Sequence, residues 1–205
     1  MRGLRVPQQL ILGQSAQLAC DYNLEQSRLY SVKWYKDGQE FYRFMPSMEN
    51  KVQVFPVDGV NVDVRERFHL GNSDAFYCQE LGSSSTRVKL YPVTLSSGGI
   101  YRCEVSNEFP DFNTVTRAEI LSVVAIPSGP HILPRPPSSA SPGDTLSLNC
   151  SLNGSLPVPR LQWYINKSPV TPTMLRVNNN SDTTTNMVLS LVLTLKSDHF
   201  SVSSI

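Results

Sequence analysis

Residues 29–46 read Leu-Tyr-Ser-Val-Lys-Trp-Tyr-Lys-Asp-Gly-Gln-Glu-Phe-Tyr-Arg-Phe-Met-Pro, two extended runs on either side of Asp37-Gly38. Successive side chains of a strand point to opposite faces, so Val32 and Trp34 share one face of the first run and Lys33 and Tyr35 the other. Asp-Gly supplies the turn, because glycine accepts the positive φ that two-residue hairpin loops need. Upstream, Leu18 and Cys20 alternate in the same way, and Cys20 precedes Trp34 by 14 residues. Downstream, Tyr101 stands two residues before Cys103.

Cys20, Trp34, Tyr101 and Cys103 together make the frame of an immunoglobulin sandwich. In that frame the cysteines join strands B and F across the two sheets, the strand C tryptophan packs on their disulfide, and the tyrosine makes the corner where strand F begins. The returning run from Glu40 to Met45 is the extra C′ strand of a variable-type domain. Val88 and Leu90 read as inward positions of strand E. Strand F places Tyr101, Cys103 and Val105 inward and Arg102, Glu104 and Ser106 outward, and the β-branched run 114–124 is strand G. The fold class is therefore all-β, with a variable-type first domain over residues 1–125.

Residues 126–142 hold six prolines with serine and glycine between them, a composition that favours extended backbone and reads as a stiff junction carrying the next domain's first edge strand. Residues 143–205 repeat the start of the pattern. Leu146, Leu148 and Cys150 alternate as strand B, Leu161 and Trp163 as strand C, and the run from Met187 to Leu195 as strand E. No cysteine follows Leu195, so this second immunoglobulin-like domain is expected to be truncated before strands F and G, leaving Cys150 without its usual partner and the half-sandwich poorly stable alone.

The 29–46 block resembles the strand C to C′ signature of the Beaten path family of insect neuronal immunoglobulin proteins. Residues 55–63, Phe-Pro-Val-Asp-Gly-Val-Asn-Val-Asp, and 101–106, Tyr-Arg-Cys-Glu-Val-Ser, look like two further blocks of that family, and Gly143-Asp144 and Leu148-Asn149-Cys150 are similar to the opening of its second domain. The resemblance runs from about Leu4 to Trp163. It implies an extracellular protein that binds Sidestep-type immunoglobulin receptors and acts in axon guidance, defasciculation and neuronal partner choice. The competing reading is a homophilic or structural immunoglobulin adhesion protein without a guidance role.

Cys20 and Cys103 lie 83 positions apart, too many for a domain of about 100 residues. The surplus falls at 64–79, between the family-like 55–63 block and strand E. This segment reads as translated intron, since Val64-Arg65 can be encoded by a donor-like GT-purine-AG and residues 76–79 by a pyrimidine-rich run ending in CAG. A genuine loop between strands C″ and E is the alternative. Cys78 is given no structural role in either case.

Composition narrows the function. Eighteen basic residues balance seventeen acidic ones, with no charge run that would suit nucleic acid or an anionic membrane, so a protein partner is the default. A Cys20–Cys103 disulfide implies an oxidising compartment, hence secretion or the plasma membrane. The chain starts without the apolar core of a signal peptide and contains no apolar run near the roughly 20 residues of a membrane span, and is expected to be incomplete. His69, His131 and His199 fall in the insertion, the junction and the tail, where no motif gathers a catalytic set, so neither enzyme activity nor a cofactor is expected and no metal site is assigned. Ser96-Ser97-Gly98-Gly99 lacks the lysine of a phosphate loop and reads as the turn before strand F. Ser97 also occupies the place where many variable-type domains carry the aspartate of an ion pair beneath the sandwich, which is expected to be absent.

The candidate partner-binding face is the outward side of strands C, C′ and F: Lys33, Tyr35, Phe41, Arg43, Arg102 and Glu104, with Tyr42, Phe44 and Met45 beside them. Aromatic residues and arginine are the types that anchor interfaces. The alternative for Phe41, Phe44 or Met45 is that each caps the core of the C′ hairpin. Asn149, Asn153, Asn166 and Asn179 stand in Asn-x-Ser glycosylation motifs, all in the second domain, with Asn153 read as lying in an Asn-Gly turn.

Overall fold

The structure, a computed structural model, describes residues 1–25, 27–63, 83–180 and 183–200. The 64–79 insertion, with Cys78 and His69, lies outside the described residues. The chain divides into two compact units, Met1–Val124 and Ala125–Ile205.

The first unit contains β1 (Gly3–Arg5), β2 (Gln9–Ile11), β3 (Ala16–Asp21), β4 (Leu29–Lys36), β5 (Gln39–Phe44), β6 (Val52–Val54), β7 (Arg87–Leu90), β8 (Gly99–Asn107) and β9 (Thr114–Val124). One sheet has the order β1-β3-β7, the other β2-β9-β8-β4-β5-β6. The second sheet adds β5 and β6 beyond β4, which is the variable-type extension. Its far edge is closed by β2 running parallel to β9. Between β4 and β5, Asp37 and Gly38 take φ of 49° and 86°, the paired positive values of a tight hairpin turn whose twist matches that of its strands.

Cys20 and Cys103 are bonded between the two sheets. Around them Leu18, Val32, Trp34, Val88, Leu90, Tyr101 and Leu121 are buried, each supplied by the inward phase of its strand. Buried in this way, a large apolar side chain contributes roughly 1.5–3 kcal/mol, so the positions next to the disulfide are the least replaceable.

Tyr101 donates its hydroxyl to the Ser97 carbonyl at 2.8 Å. Ser97 belongs to a single 3-10 turn, Leu95–Ser97, and its own hydroxyl accepts the Thr94 N–H at 2.8 Å and donates to the Gly59 carbonyl at 2.5 Å. The position where many variable-type domains carry the aspartate of an ion pair is thus held by a buried neutral latch. Gly59 has φ +72°, and a β-carbon there would sit 2.2 Å from the Ser96 carbonyl oxygen, so only glycine allows the two segments to approach this closely.

The second unit contains β10 (Ser128–Leu133), β11 (Thr145–Ser155), β12 (Trp163–Ile165), β13 (Ser168–Val170), β14 (Met174–Asn179) and β15 (Thr185–Thr194). The order β10-β11-β15-β14 makes one sheet and β12-β13 a hairpin. β10 lies inside the proline-rich stretch, on an exposed edge where a missing N–H costs no central ladder bond. Leu148, Trp163, Leu189 and Leu191 form the core, and the Trp163 indole N–H is satisfied by the Leu189 carbonyl at 3.1 Å. Cys150 is an unpaired, half-buried thiol among the described residues, and burial pushes its pKa up. β14 has no counterpart in the sequence reading; Leu175 and Val177 alternate with Arg176 and Asn178 over only four residues, and all six residues of this edge strand are exposed.

Candidate functional site

The outward face of the larger sheet is built by cross-strand register. Lys33 of β4 lies opposite Glu104 of β8 on one side and Arg43 of β5 on the other. One step along, Tyr35 lies between Arg102 and Glu40. Contacts follow these rows. The Arg102 guanidinium sits 4.3 Å above the centre of the Tyr35 ring, a cation–π geometry. Lys33 Nζ is 3.8 Å from Glu104 Oε1, and the Tyr35 hydroxyl donates to the same oxygen at 3.4 Å. Arg43 makes a two-pronged pair with Glu40, at 2.6 Å and 3.0 Å, while its guanidinium lies 5.4 Å from the Phe55 ring centre.

Each of these charges has a neighbour of opposite sign or an aromatic face. The pairs are partly solvated and worth little to stability, roughly 0–1 kcal/mol each. What they do is hold long side chains in fixed places. Partial burial and the adjacent Glu104 and Glu40 carboxylates push the Tyr35 pKa upward, so the phenol keeps its proton and remains a donor. At one margin of the face Ile100 and Ile120 stand directly opposite each other on β8 and β9, exposed by 52% and 62%. Together they extend the charged lattice into an apolar border.

Of the residues assigned to this face from sequence, Lys33, Tyr35, Arg43, Arg102 and Glu104 are brought together. Phe41, Tyr42 and Phe44 are not. Trp34 pairs with Tyr42 and Tyr35 with Glu40, so Phe41 is the extra residue of a β-bulge, which lets two consecutive side chains turn inward. Phe41 is fully buried and meets Tyr101 edge to face with ring centres 5.9 Å apart. Tyr42 is fully buried too, its hydroxyl donating to the Ser84 carbonyl at 3.1 Å. Phe44 lies opposite Val32 and packs against the same core. Strict alternation overlooks a bulge.

Glu40, Phe55, Ile100 and Ile120 are the face residues that the sequence reading omits. Ile100 was within reach, since it shares the outward phase of Arg102 and Glu104. The four glycosylation-motif asparagines are exposed. Asn149 Oδ1 accepts the Ser190 hydroxyl at 2.6 Å, and Asn166 sits in the β12–β13 turn at φ 46°. Asn153-Gly154 is not a turn: both residues lie within β11, where the register with β15 shifts between Leu152 and Ser155. Among the described residues no group of histidine, cysteine and acidic side chains could hold a metal, and no helix is long and apolar enough to cross a membrane.

Comparison with known proteins bears on this geometry. Residues 130–200 match the CD80-like C2-set immunoglobulin domain family. Over 169 residues the chain is 28% identical to junctional adhesion molecule C of Mus musculus, covering 80% of this chain and 46% of that protein, so it spans about half of the relative's length. Among solved structures, Rst D1-D2 superposes with a TM-score of 0.55 at 17% identity, over 97% of this chain and 87% of that one. Bovine butyrophilin gives 0.55 at 19%, over 93% and 83%, and murine CEACAM1b 0.50 at 17%, over 96% and 87%. These are immunoglobulin sandwiches. The likenesses show the immunoglobulin-like fold, in keeping with the two sheets of the first unit and the disulfide between them.

Proposed function

We propose that this chain is the recognition part of an extracellular protein whose first sandwich binds an immunoglobulin-superfamily receptor through the outward face of β4, β5 and β8. The observation that carries the reading is the fixed lattice of Lys33–Glu104, Tyr35–Arg102 and Glu40–Arg43. Its charges are already paired, so a flat, nearly neutral sheet can cover it without stranding a bare ion, whose burial would be costly. Tyrosine and arginine at the centre are the types that dominate binding energy. The six strands of the larger sheet run from three to eleven residues, which at about 4.8 Å between strands and about 3.3 Å per residue gives the whole sheet a face of roughly 650 Å², near the roughly 800 Å² that each partner of a standard interface contributes.

On the Beaten path resemblance, the receptor is of Sidestep type and the setting is axon guidance, defasciculation and neuronal partner choice. The exposed asparagines of the second unit carry N-linked glycans in this reading, leaving the lattice bare. Binding of Sidestep-type ectodomains to the chain, by biolayer interferometry, tests it. Tyr35→Ala with Arg43→Ala should lower affinity roughly a hundredfold or more with an unchanged circular dichroism spectrum. Full affinity in that variant would place the interface elsewhere, and sedimentation showing that the same face pairs with itself would favour the homophilic reading.

A further inference from the structure

The loop joining β8 to β9 carries Phe109 and Phe112, exposed by 77% and 70%. Their rings meet edge to face, centres 6.1 Å apart and planes at 73°. The rings lean on each other and contribute little to the core. Few side chains are costlier to leave in water, because each phenylalanine presents a large apolar area.

The loop is preorganised. At its base the Asn107 N–H donates to the Asn113 carbonyl at 3.0 Å, and within it the Phe112 N–H reaches the Glu108 carbonyl at 3.4 Å. Two bonds tie it to the loop before β4: Glu108 N–H to the Arg28 carbonyl at 2.9 Å and the Ser27 hydroxyl to Asp111 Oδ2 at 2.6 Å. Phe112 also takes φ +47°, a left-handed conformation uncommon for a bulky side chain, where asparagine or glycine is the ordinary choice. A strained backbone that presents an exposed aromatic is an observed outlier of the kind that gathers at binding sites.

We infer that this loop is an aromatic knob that seats in an apolar socket with a basic rim on the receptor's ectodomain. The basic rim follows from charge. Glu108 and Asp111 flank the rings, and Glu25 with Arg28 lies in the adjoining loop, leaving the tip acidic. An anionic lipid surface is a poor match for such a tip. A second copy of the chain is also a poor match, since the cleft that its own sheet offers beside Ile100 and Ile120 is bordered by Glu119. Rigid aromatic anchors on a pinned loop lose little freedom on binding, which is how paratope tyrosines and tryptophans act.

The inference rests on the reading of the chain as a receptor-binding protein, and one set of measurements separates the two. Full-length chain is tested against immobilised immunoglobulin-superfamily ectodomains, Sidestep-type ones included. The variants are Phe109→Ser with Phe112→Ser, Phe109→Leu with Phe112→Leu, Glu108→Arg, and Tyr35→Ala with Arg43→Ala. The double serine should lose roughly thirtyfold or more and the double leucine much less, while Glu108→Arg should slow association and weaken its salt dependence. A double serine within about threefold of wild type, alongside loss in the Tyr35/Arg43 variant, overturns the knob and leaves the sheet face standing. The reverse pattern overturns the face and upholds the knob. An ectodomain set with no binder overturns both. Co-sedimentation with phosphatidylserine and phosphatidylcholine vesicles, or self-association, that the double serine abolishes would overturn the socket in favour of lipid or of a second copy.

Discussion

Replacing Ser97 tests the neutral latch directly. Its hydroxyl is buried, with two short hydrogen bonds, accepting from Thr94 N–H and donating to the Gly59 carbonyl, and a longer contact of 3.3 Å with the Thr94 hydroxyl. Ser97→Ala removes both short bonds and leaves a donor and an acceptor without their partner. At 0.5–1.5 kcal/mol for each net bond, the loss is about 1–3 kcal/mol. For a domain of this size each kcal/mol moves the midpoint by about 4 °C, so calorimetry of the full chain should show a fall of about 4–12 °C. Ser97→Asp separates this account from the ion-pair geometry common in variable-type domains. A carboxylate has no proton for the Gly59 oxygen and would be buried against it, so the aspartate variant should melt lower than the alanine one. An alanine variant within about 1 °C of wild type, or an aspartate variant more stable than serine, would refute the latch.

Gly59→Ala should cost at least about 2–4 kcal/mol, from positive φ and from contact with the Ser96 backbone, read as a lower urea midpoint; an unchanged midpoint would mean that the two segments are not in close approach. Burial pushes the Tyr42 pKa up to about 12, whereas an unfolded tyrosine ionises near 10. Stability from this group is therefore complete below pH 10 and is lost as pH rises toward 12, because the unfolded chain releases its proton first; the loss amounts to about 2–3 kcal/mol. Tyr42→Phe should flatten that part of a pH-dependent unfolding curve, and an equally steep fall in the variant would assign it to other groups. Deleting residues 64–79 should leave the first domain folded and no less stable. The Ser83 N–H and hydroxyl both bond the Asp63 carbonyl, at 3.3 Å and 3.0 Å, so residues 80–82 can close the gap, and the shorter loop reduces the closure cost by about 1–2 kcal/mol. A deletion that fails to fold would show that the segment belongs to the sandwich.

Much of the candidate site was legible beforehand, and the limit is physical. Lys33, Tyr35, Arg102 and Glu104 lie on β4 and β8, where alternation is unbroken through the face, so parity alone assigns their side. Phe41 and Tyr42 lie on β5, where one extra residue against β4 reverses the phase. A bulge is a property of two strands, and one strand's sequence does not contain it. Glu40 and Arg43 show the same limit: their spacing is compatible with either face, and register against Tyr35 and Lys33 decides it.

Two things followed from the chain alone. Cys20, Trp34, Tyr101 and Cys103 determined the sandwich, because local alternation and fixed spacing leave few other ways to bury a disulfide and an indole. Asp37-Gly38 determined the hairpin, because turn conformation is a local property of two residues. Tertiary structure alone decided the rest. The Ser97 hydroxyl meets the Gly59 carbonyl across 38 positions of chain, and Asp111 meets Ser27 across 84. Contacts between residues so far apart exist only once the sheets have paired, and they settle which side chains are held in the core and which are presented at the surface.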